Sequence, residues 1–154
     1  MAATDRQDLA DPDAEALAVF DDRLGFWLRL AQQEAFDALH AALTPLGLSP
    51  ARLGALLVID AVPDIRQVAL GAALRVKPPN LAVLLRGLEE EGLIRRAEDA
   101  ANRRANLLRL TARGRALLRR ARAAEAAFEA DFTRGLTAAE RARLIAALRG
   151  LAGG

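Results

Sequence analysis

Two consecutive prolines, Pro78 and Pro79, constrain this chain more than any other feature. Proline has no amide hydrogen to donate, so a helix tolerates the pair only in its first turn, where amides are unpaired anyway. A helix is therefore predicted to begin there. Leu81, Leu84, Leu85 and Leu88 follow at offsets of three, four and seven, and Gly92 is placed to end it. Upstream, DIRQVALGAALRV reads as a preceding helix with Ile65, Leu70 and Leu74 near one face. Gly71 leaves room for another helix to approach closely, and Val76 and Lys77 form the turn between the two.

After Gly92 the period changes. Leu93 and Ile94 open a strand, and Leu108 and Leu110 alternate with Leu107 and Arg109 in its return partner. The polar run Glu98 to Arg104 suits a hairpin tip. Helix, turn, helix and hairpin in this order predict a mainly α fold with a small β-hairpin wing, a winged helix-turn-helix. Such a unit sets its second helix, here 78–91, into the DNA major groove, while the wing, here 97–105, touches backbone or minor groove. An arginine-tipped hairpin that is merely solvated is the competing reading of the charge.

At 154 residues the chain is one domain, or one with extensions, since two independent cores would be small. The 53% apolar content supports a folded chain. With no cysteine, disulfides, thiolate metal sites and a cysteine peroxide sensor are excluded. One histidine cannot build a multi-histidine centre. Neither a metal nor a cofactor is expected. No apolar run approaches a membrane span, and the acidic N-terminus does not resemble a secretion signal, so a bacterial cytoplasmic protein is expected.

Charge is distributed unevenly. Residues 1–40 hold nine acidic and three basic side chains, whereas 95–122 hold ten arginines against Glu98 and Asp99. This favours an anionic partner on the wing side. An intramolecular contact between the acidic segment and the arginines is the alternative. The use of 21 arginines against one lysine is compatible with coding bias and says nothing about phosphate recognition.

Around the winged unit, residues 1–15 read as a mobile tail. A long helical stripe follows through Leu17, Phe20, Leu24, Trp27, Leu28, Ala31, Ala35, Leu39 and Leu43, stopping near Thr44 because of Pro45. Ser49 and Pro50 signal the next helix, as cap and first-turn proline. Thr111 caps a long helix towards Phe132, and Thr137 with Glu140 has the form of a capping box for the last one. The expected divisions are 16–48 for the first helix and turn, 49–111 for the winged unit, and 112–152 for the closing helices. The terminal stripes exceed what a winged unit can cover. Two copies packing these helices together would bury them, and a single elongated bundle is the alternative; the homodimer is favoured because a two-fold protein matches a two-fold DNA site.

The run LEEEGLIRRAEDAANRRANLLRLTARG resembles the signature region of the multiple-antibiotic-resistance regulator (MarR) family. GLSPARLGALL is similar to that family's second-helix opening, and LTAAERARLIAAL to its closing helix. The resemblance covers roughly Phe20 to Leu151. It implies an obligate homodimer held by its terminal helices, with paired winged domains on a pseudo-palindromic double-stranded DNA operator, usually repressing transcription. It also implies release by a small aromatic or phenolic acid.

Two departures from the family pattern stand out. Where the family has Asp-x-Arg in the wing, this chain has Asn102 and Arg104. The resemblance implies that Arg104 enters the minor groove. Asn102 can accept a hydrogen bond from it, though without a carboxylate's charge. Arg103 is a neighbouring phosphate or minor-groove candidate. The recognition helix opens Pro78, Pro79, Asn80, Leu81, Ala82, Val83, in place of the usual serine, threonine and arginine. Asn80 suits an adenine edge or a phosphate, and Ala82 or Val83 a thymine methyl, while Lys77 and Arg86 are backbone contacts or surface charges. So few polar readers leave open a dimeric ligand-binding or protein-interaction scaffold with weak or lost sequence-specific DNA binding.

No catalytic constellation is legible, and the chain is not expected to be an enzyme. Glu89, Glu90 and Glu91 are consecutive, so a helix spreads them around its surface. For the effector, Trp27 and Phe36 are candidate aromatic walls, and Arg29 or His40 a candidate partner for its acid group. Nine residues separate Trp27 from Phe36, so they need not share a face. Simple packing explains these four equally well.

Overall fold

The computed structural model describes residues 16–99 and 102–153, with side chains outside 98–106. The elements in order are α1 (Leu24–Leu43), a 3-10 turn (Thr44–Leu46), α2 (Pro50–Ala61), β1 (Ile65–Arg66), α3 (Gln67–Leu74) and α4 (Pro78–Glu90). Then come β2 (Ile94–Asp99), β3 (Asn102–Leu110), α5 (Ala112–Phe132) and α6 (Ala138–Leu151). The chain divides into two compact units, one ending at Ala35 and one beginning at Phe36.

In the first unit, the helical stripe expected to run on from Leu17 is interrupted. Residues 16–18 are helical, a turn occupies 19–22, and α1 starts at Leu24. Asp21 and Asp22 suit that turn. Phe20 folds back to stack on Phe26, with ring centroids 3.9 Å apart, and its carbonyl accepts the Trp27 indole N–H at 2.9 Å. Aromatic stacking and a satisfied indole outweigh two further turns of helix.

The second unit is the winged helix-turn-helix with its closing helices. Its core is mainly leucine: Leu43, Leu53, Leu56, Leu70, Leu85, Leu88, Leu93, Leu108 and Leu118 are buried, with Ile59, Ile65 and Ile94 among them. Cap signals operate where the residues predict them. Ser49 Oγ accepts from Arg52 N–H at 3.3 Å, Thr111 Oγ1 from Gly114 N–H at 3.0 Å, and Thr137 with Glu140 forms the reciprocal capping box. Gly92, at φ +67°, ends α4, and the Leu93 amide reaches back to the Leu88 carbonyl at 2.9 Å. That six-to-one bond is a Schellman closure.

Two expectations about the winged unit are corrected. Ile65 and Arg66 are not the first turn of a helix; they form β1, paired antiparallel with Leu108 and Leu107. Asp64 takes a left-handed φ of +62°, which breaks any helix, and β-branched Ile65 fits the sheet. The sheet thus has three strands in the order β1-β3-β2. The hairpin is also longer than its apolar alternation suggests. Ladder pairing continues to Glu98 with Asn106 and, past an irregularity, Asp99 with Asn102, so the polar run is mostly strand. Backbone pairing needs no apolar side chains, and pattern reading misses it there.

Candidate nucleic-acid interface

Helix α4 has two distinct faces. Leu81, Leu85 and Leu88 are buried, while Pro79, Asn80, Val83 and Arg86 are exposed on the other side. Val83 is 70% exposed on that face. Of the expected readers, Asn80, Val83 and Arg86 share the open face, and Lys77 is exposed at the N-cap. Ala82, half-buried, borders the same face, three residues from Pro79 and four from Arg86.

Helices α3 and α4 approach closely at Gly71. A Cβ added to Gly71 would stand 3.0 Å from Leu81 Cδ2 and 3.5 Å from the Val76 carbonyl. This is the close approach that a glycine in α3 permits. At the other end of α4, Arg96 on β2 donates to Glu89 Oε2 at 3.0 Å and to Gln67 Oε1 at 3.1 Å. One guanidinium therefore joins the wing, the recognition helix and the start of α3.

Arg109 on β3 grips the Asp64 carboxylate with two N–H groups, Nη2 reaching Oδ2 at 2.7 Å and Nε reaching Oδ1. The Arg109 hydrogen bonds hold the Asp64 carboxyl below its ordinary range against a smaller desolvation effect, with further attraction from Arg109 and Arg95. The same bonds raise the Arg109 guanidinium. Asp64 thereby ties the left-handed entry of β1 to the strand it pairs with.

Several arginines of the basic segment are engaged within the chain. Of the ten arginines in 95–122, Arg96 and Arg109 are paired as above, Arg122 meets Asp60 at 2.8 Å, and Arg115 donates to the Leu110 carbonyl at 3.0 Å. Asp64 and Asp60, the partners of Arg109 and Arg122, lie far off in sequence, so charge counting along the chain does not find them. Arg95 is exposed on β2 beside the wing and joins the candidate interface. It was not singled out by residue type, because its neighbour Arg96 is indistinguishable in the sequence. The side chains of Asn102, Arg103 and Arg104 lie outside those described.

The candidate effector residues fall in both units. In the first, Trp27 packs edge-on to Phe26 at 5.5 Å, and Arg29 lies over the Phe26 ring at 5.3 Å. In the second, His40 is exposed and its carbonyl accepts from Thr44 Oγ1 at 2.9 Å. Phe36 lines an apolar cleft of about 470 Å³ with Pro50, Gly54, Leu74, Asn80 and Leu84. That cleft touches α2, α3 and the first turns of α4. Among the described residues no group of three or more histidines or carboxylates is placed to hold a metal ion. Among them, too, no single helix is long and apolar enough to cross a membrane.

Comparison with known proteins agrees with this geometry. Residues 46–105, from the end of the 3-10 turn through the wing, match the MarR family. The chain is 36% identical over 129 residues to the transcriptional regulatory protein described as putative for the hcr operon of Thauera aromatica, covering 83% of this chain and 78% of that one. The transcriptional repressor CouR bound to a 23-mer DNA duplex superposes with a TM-score of 0.84 at 32% identity, over 88% of this chain and 96% of that one. CouR from Rhodococcus jostii RHA1 bound to p-coumaroyl-CoA superposes at 0.79 with 26% identity, over 85% and 92%. Recognition helix, wing, capped closing helices and relatives all converge: the chain belongs to the MarR family of winged helix-turn-helix transcriptional regulators.

Proposed function

We propose that the protein is a homodimeric repressor that binds a pseudo-palindromic DNA duplex through α4 and the wing and is released by a small aromatic acid or its thioester. The observation that carries the reading is the open face of α4. Asn80, Val83 and Arg86 stand in line opposite a buried leucine row, on a helix that α3 approaches closely at Gly71. Val83 offers its methyl groups to a thymine methyl. Asn80 offers an amide to an adenine edge, and Arg86 a guanidinium to guanine or phosphate. Arg103 and Arg104 at the wing, with Asn102 accepting from Arg104, complete the proposed contacts. CouR with its duplex, the structure just compared, supports this arrangement.

Dimerisation is supported by apolar surface on the closing helices. Among the described residues α6 buries none, and Phe132, Leu136, Leu144 and Leu151 are exposed. In the first unit Leu24 and Leu28 are exposed as well. A second copy is the partner whose stripes match. Effector response is supported by the cleft between Phe36, Leu74 and Asn80, since a ligand there would touch both α3 and the reading end of α4. A coupling of about 1–3 kcal/mol would change DNA affinity roughly 5–150-fold.

Selection from random duplexes followed by footprinting tests the proposal. The expected result is an enriched inverted repeat with half-sites about one helical turn apart. Binding should weaken by about 10³ to 10⁵ between roughly 50 and 200 mM salt if six to ten phosphates are contacted. Uniformly weak binding to unrelated duplexes would instead favour a scaffold that keeps the fold without the reading.

A further inference from the structure

We infer that a second small-molecule site, for an organic carboxylate with an apolar body, lies between the start of α5 and the far end of α4. A cleft of about 320 Å³ opens there, floored by Leu46, Leu93 and Leu117 and flanked by Arg113 and Arg120. Its volume falls at the lower end of small-molecule pockets, roughly 300–1,000 Å³. It shares no lining residue with the Phe36 cleft and none with the open face of α4.

Two features set its chemistry. The first is charge. Arg113 and Arg120 are seven residues apart on one helix, so they stand about 10 Å apart along one side of α5. Neither has an acidic partner among the described residues, whereas Arg96, Arg109 and Arg122 each do. The carboxylate at the rim, Glu91, is engaged by Arg52 at 2.6 Å, leaving the two guanidiniums as the cleft's uncompensated charge. The second is the floor, three leucine side chains between those arginines. An inorganic anion would leave that floor wet, and a neutral hydrocarbon would leave the guanidiniums without a partner. A carboxylate attached to an aromatic or acyl body satisfies both, with the acid group taken by a two-pronged guanidinium contact.

The site also has a mechanical address. Glu91 is the C-cap of α4, and Leu93 follows the glycine that closes it. A ligand there would touch the end of the recognition helix opposite the one reached from the Phe36 cleft.

Calorimetric titration of the free full-length protein with 2-naphthoate and with octanoate tests this, using 2-naphthalenemethanol as the uncharged control. Because no DNA is present, failure here is separable from failure of duplex recognition. Saturable binding of an acid is expected, with the alcohol at least about 10-fold weaker. Arg113→Gln and Arg120→Gln should each weaken one binding component about 10-fold or more, and Ala116→Phe, which fills the cleft from its own wall, should remove that component while any binding in the Phe36 cleft persists. All three positions are on the surface or cleft wall, and melting curves will verify that the variants fold. No binding of either acid at millimolar concentration overturns the inference. So does binding that survives unchanged in both arginine variants and in Ala116→Phe.

Discussion

Gly114 presses its backbone against the carbonyl of Leu93: a Cβ built on Gly114 would lie 2.0 Å from that oxygen. The same carbonyl accepts the Thr111 amide at 3.0 Å, and Thr111 Oγ1 donates to the Gly92 carbonyl at 2.7 Å. The L-T-x-x-G sequence at 110–114 is thus a joint in which threonine caps α5 and clamps the end of α4, while glycine lets the helix come close. Gly114→Ala tests it. Alanine is worth about 1 kcal/mol over glycine in a free helix, but the clash is with backbone that cannot swing aside. A net loss of about 1–3 kcal/mol is expected in chemical denaturation, with overpacking outweighing propensity. A variant as stable as the parent would mean that the joint has slack.

Stability should respond to acid through Asp64. Its folded carboxyl titrates below the ordinary aspartate value of about 3.9. A depressed carboxyl contributes stability that is fully present above its unfolded value and is lost as pH falls through its folded value. Asp64→Asn should therefore lower stability at neutral pH and flatten its decline below about pH 4. Urea midpoints measured from pH 7 to pH 2.5 for both proteins check the sign. Parallel curves would remove the Arg109 pair as a contributor.

The open face of α4 should divide into a reader and an anchor. Val83→Ala is expected to relax preference at one thymine of each half-site, with a discrimination loss of about 1 kcal/mol or more. Arg86→Ala, if it loses a phosphate contact, should weaken all duplexes alike and reduce the salt slope by about one. Affinities on matched and singly mismatched duplexes separate the two. A base-specific loss in Arg86→Ala would reassign it to guanine.

At the wing, Arg104→Ala should weaken duplex binding while leaving the fold and oligomer intact. Asn102→Asp should strengthen binding if a carboxylate steadies Arg104 better than an amide does, offset by repulsion from nearby phosphate. Titrations at several salt concentrations will show which prevails. Parental affinity in Arg104→Ala would remove it from the interface.

Periodicity and punctuation made much of the winged unit readable. Pro78, Pro79 and Gly92 bracket α4 in the chain as they do in the structure, and Ser49, Thr111 and Thr137 act as the caps their positions announce. Such features are local, a residue and the next turn. What resisted reading was non-local or backbone-borne. The two-residue strand at Ile65 exists because β3 passes beside it, and Asp64 finds Arg109 forty-five residues away. Phe20 leaves its helical stripe because Phe26 offers a ring. On the recognition face, helical spacing identified the buried leucines, and Asn80, Val83 and Arg86 stand exposed opposite them.

The contact of Gly71 with Leu81 has a consequence for how such a protein diversifies. Because α3 and α4 meet where Gly71 carries no side chain, the packing of α4 rests on residues other than those of its outer face. Posture and vocabulary are thus written in separate residues. Under the proposed reading, substitutions at positions 80, 83 and 86 would retune which sequence is bound while the packing of α4 on α3 stays as it is. A single methyl group at Gly71 would instead meet the Leu81 side chain at 3.0 Å, at the elbow between the two helices, and Leu81 would have to give by a few tenths of an ångström.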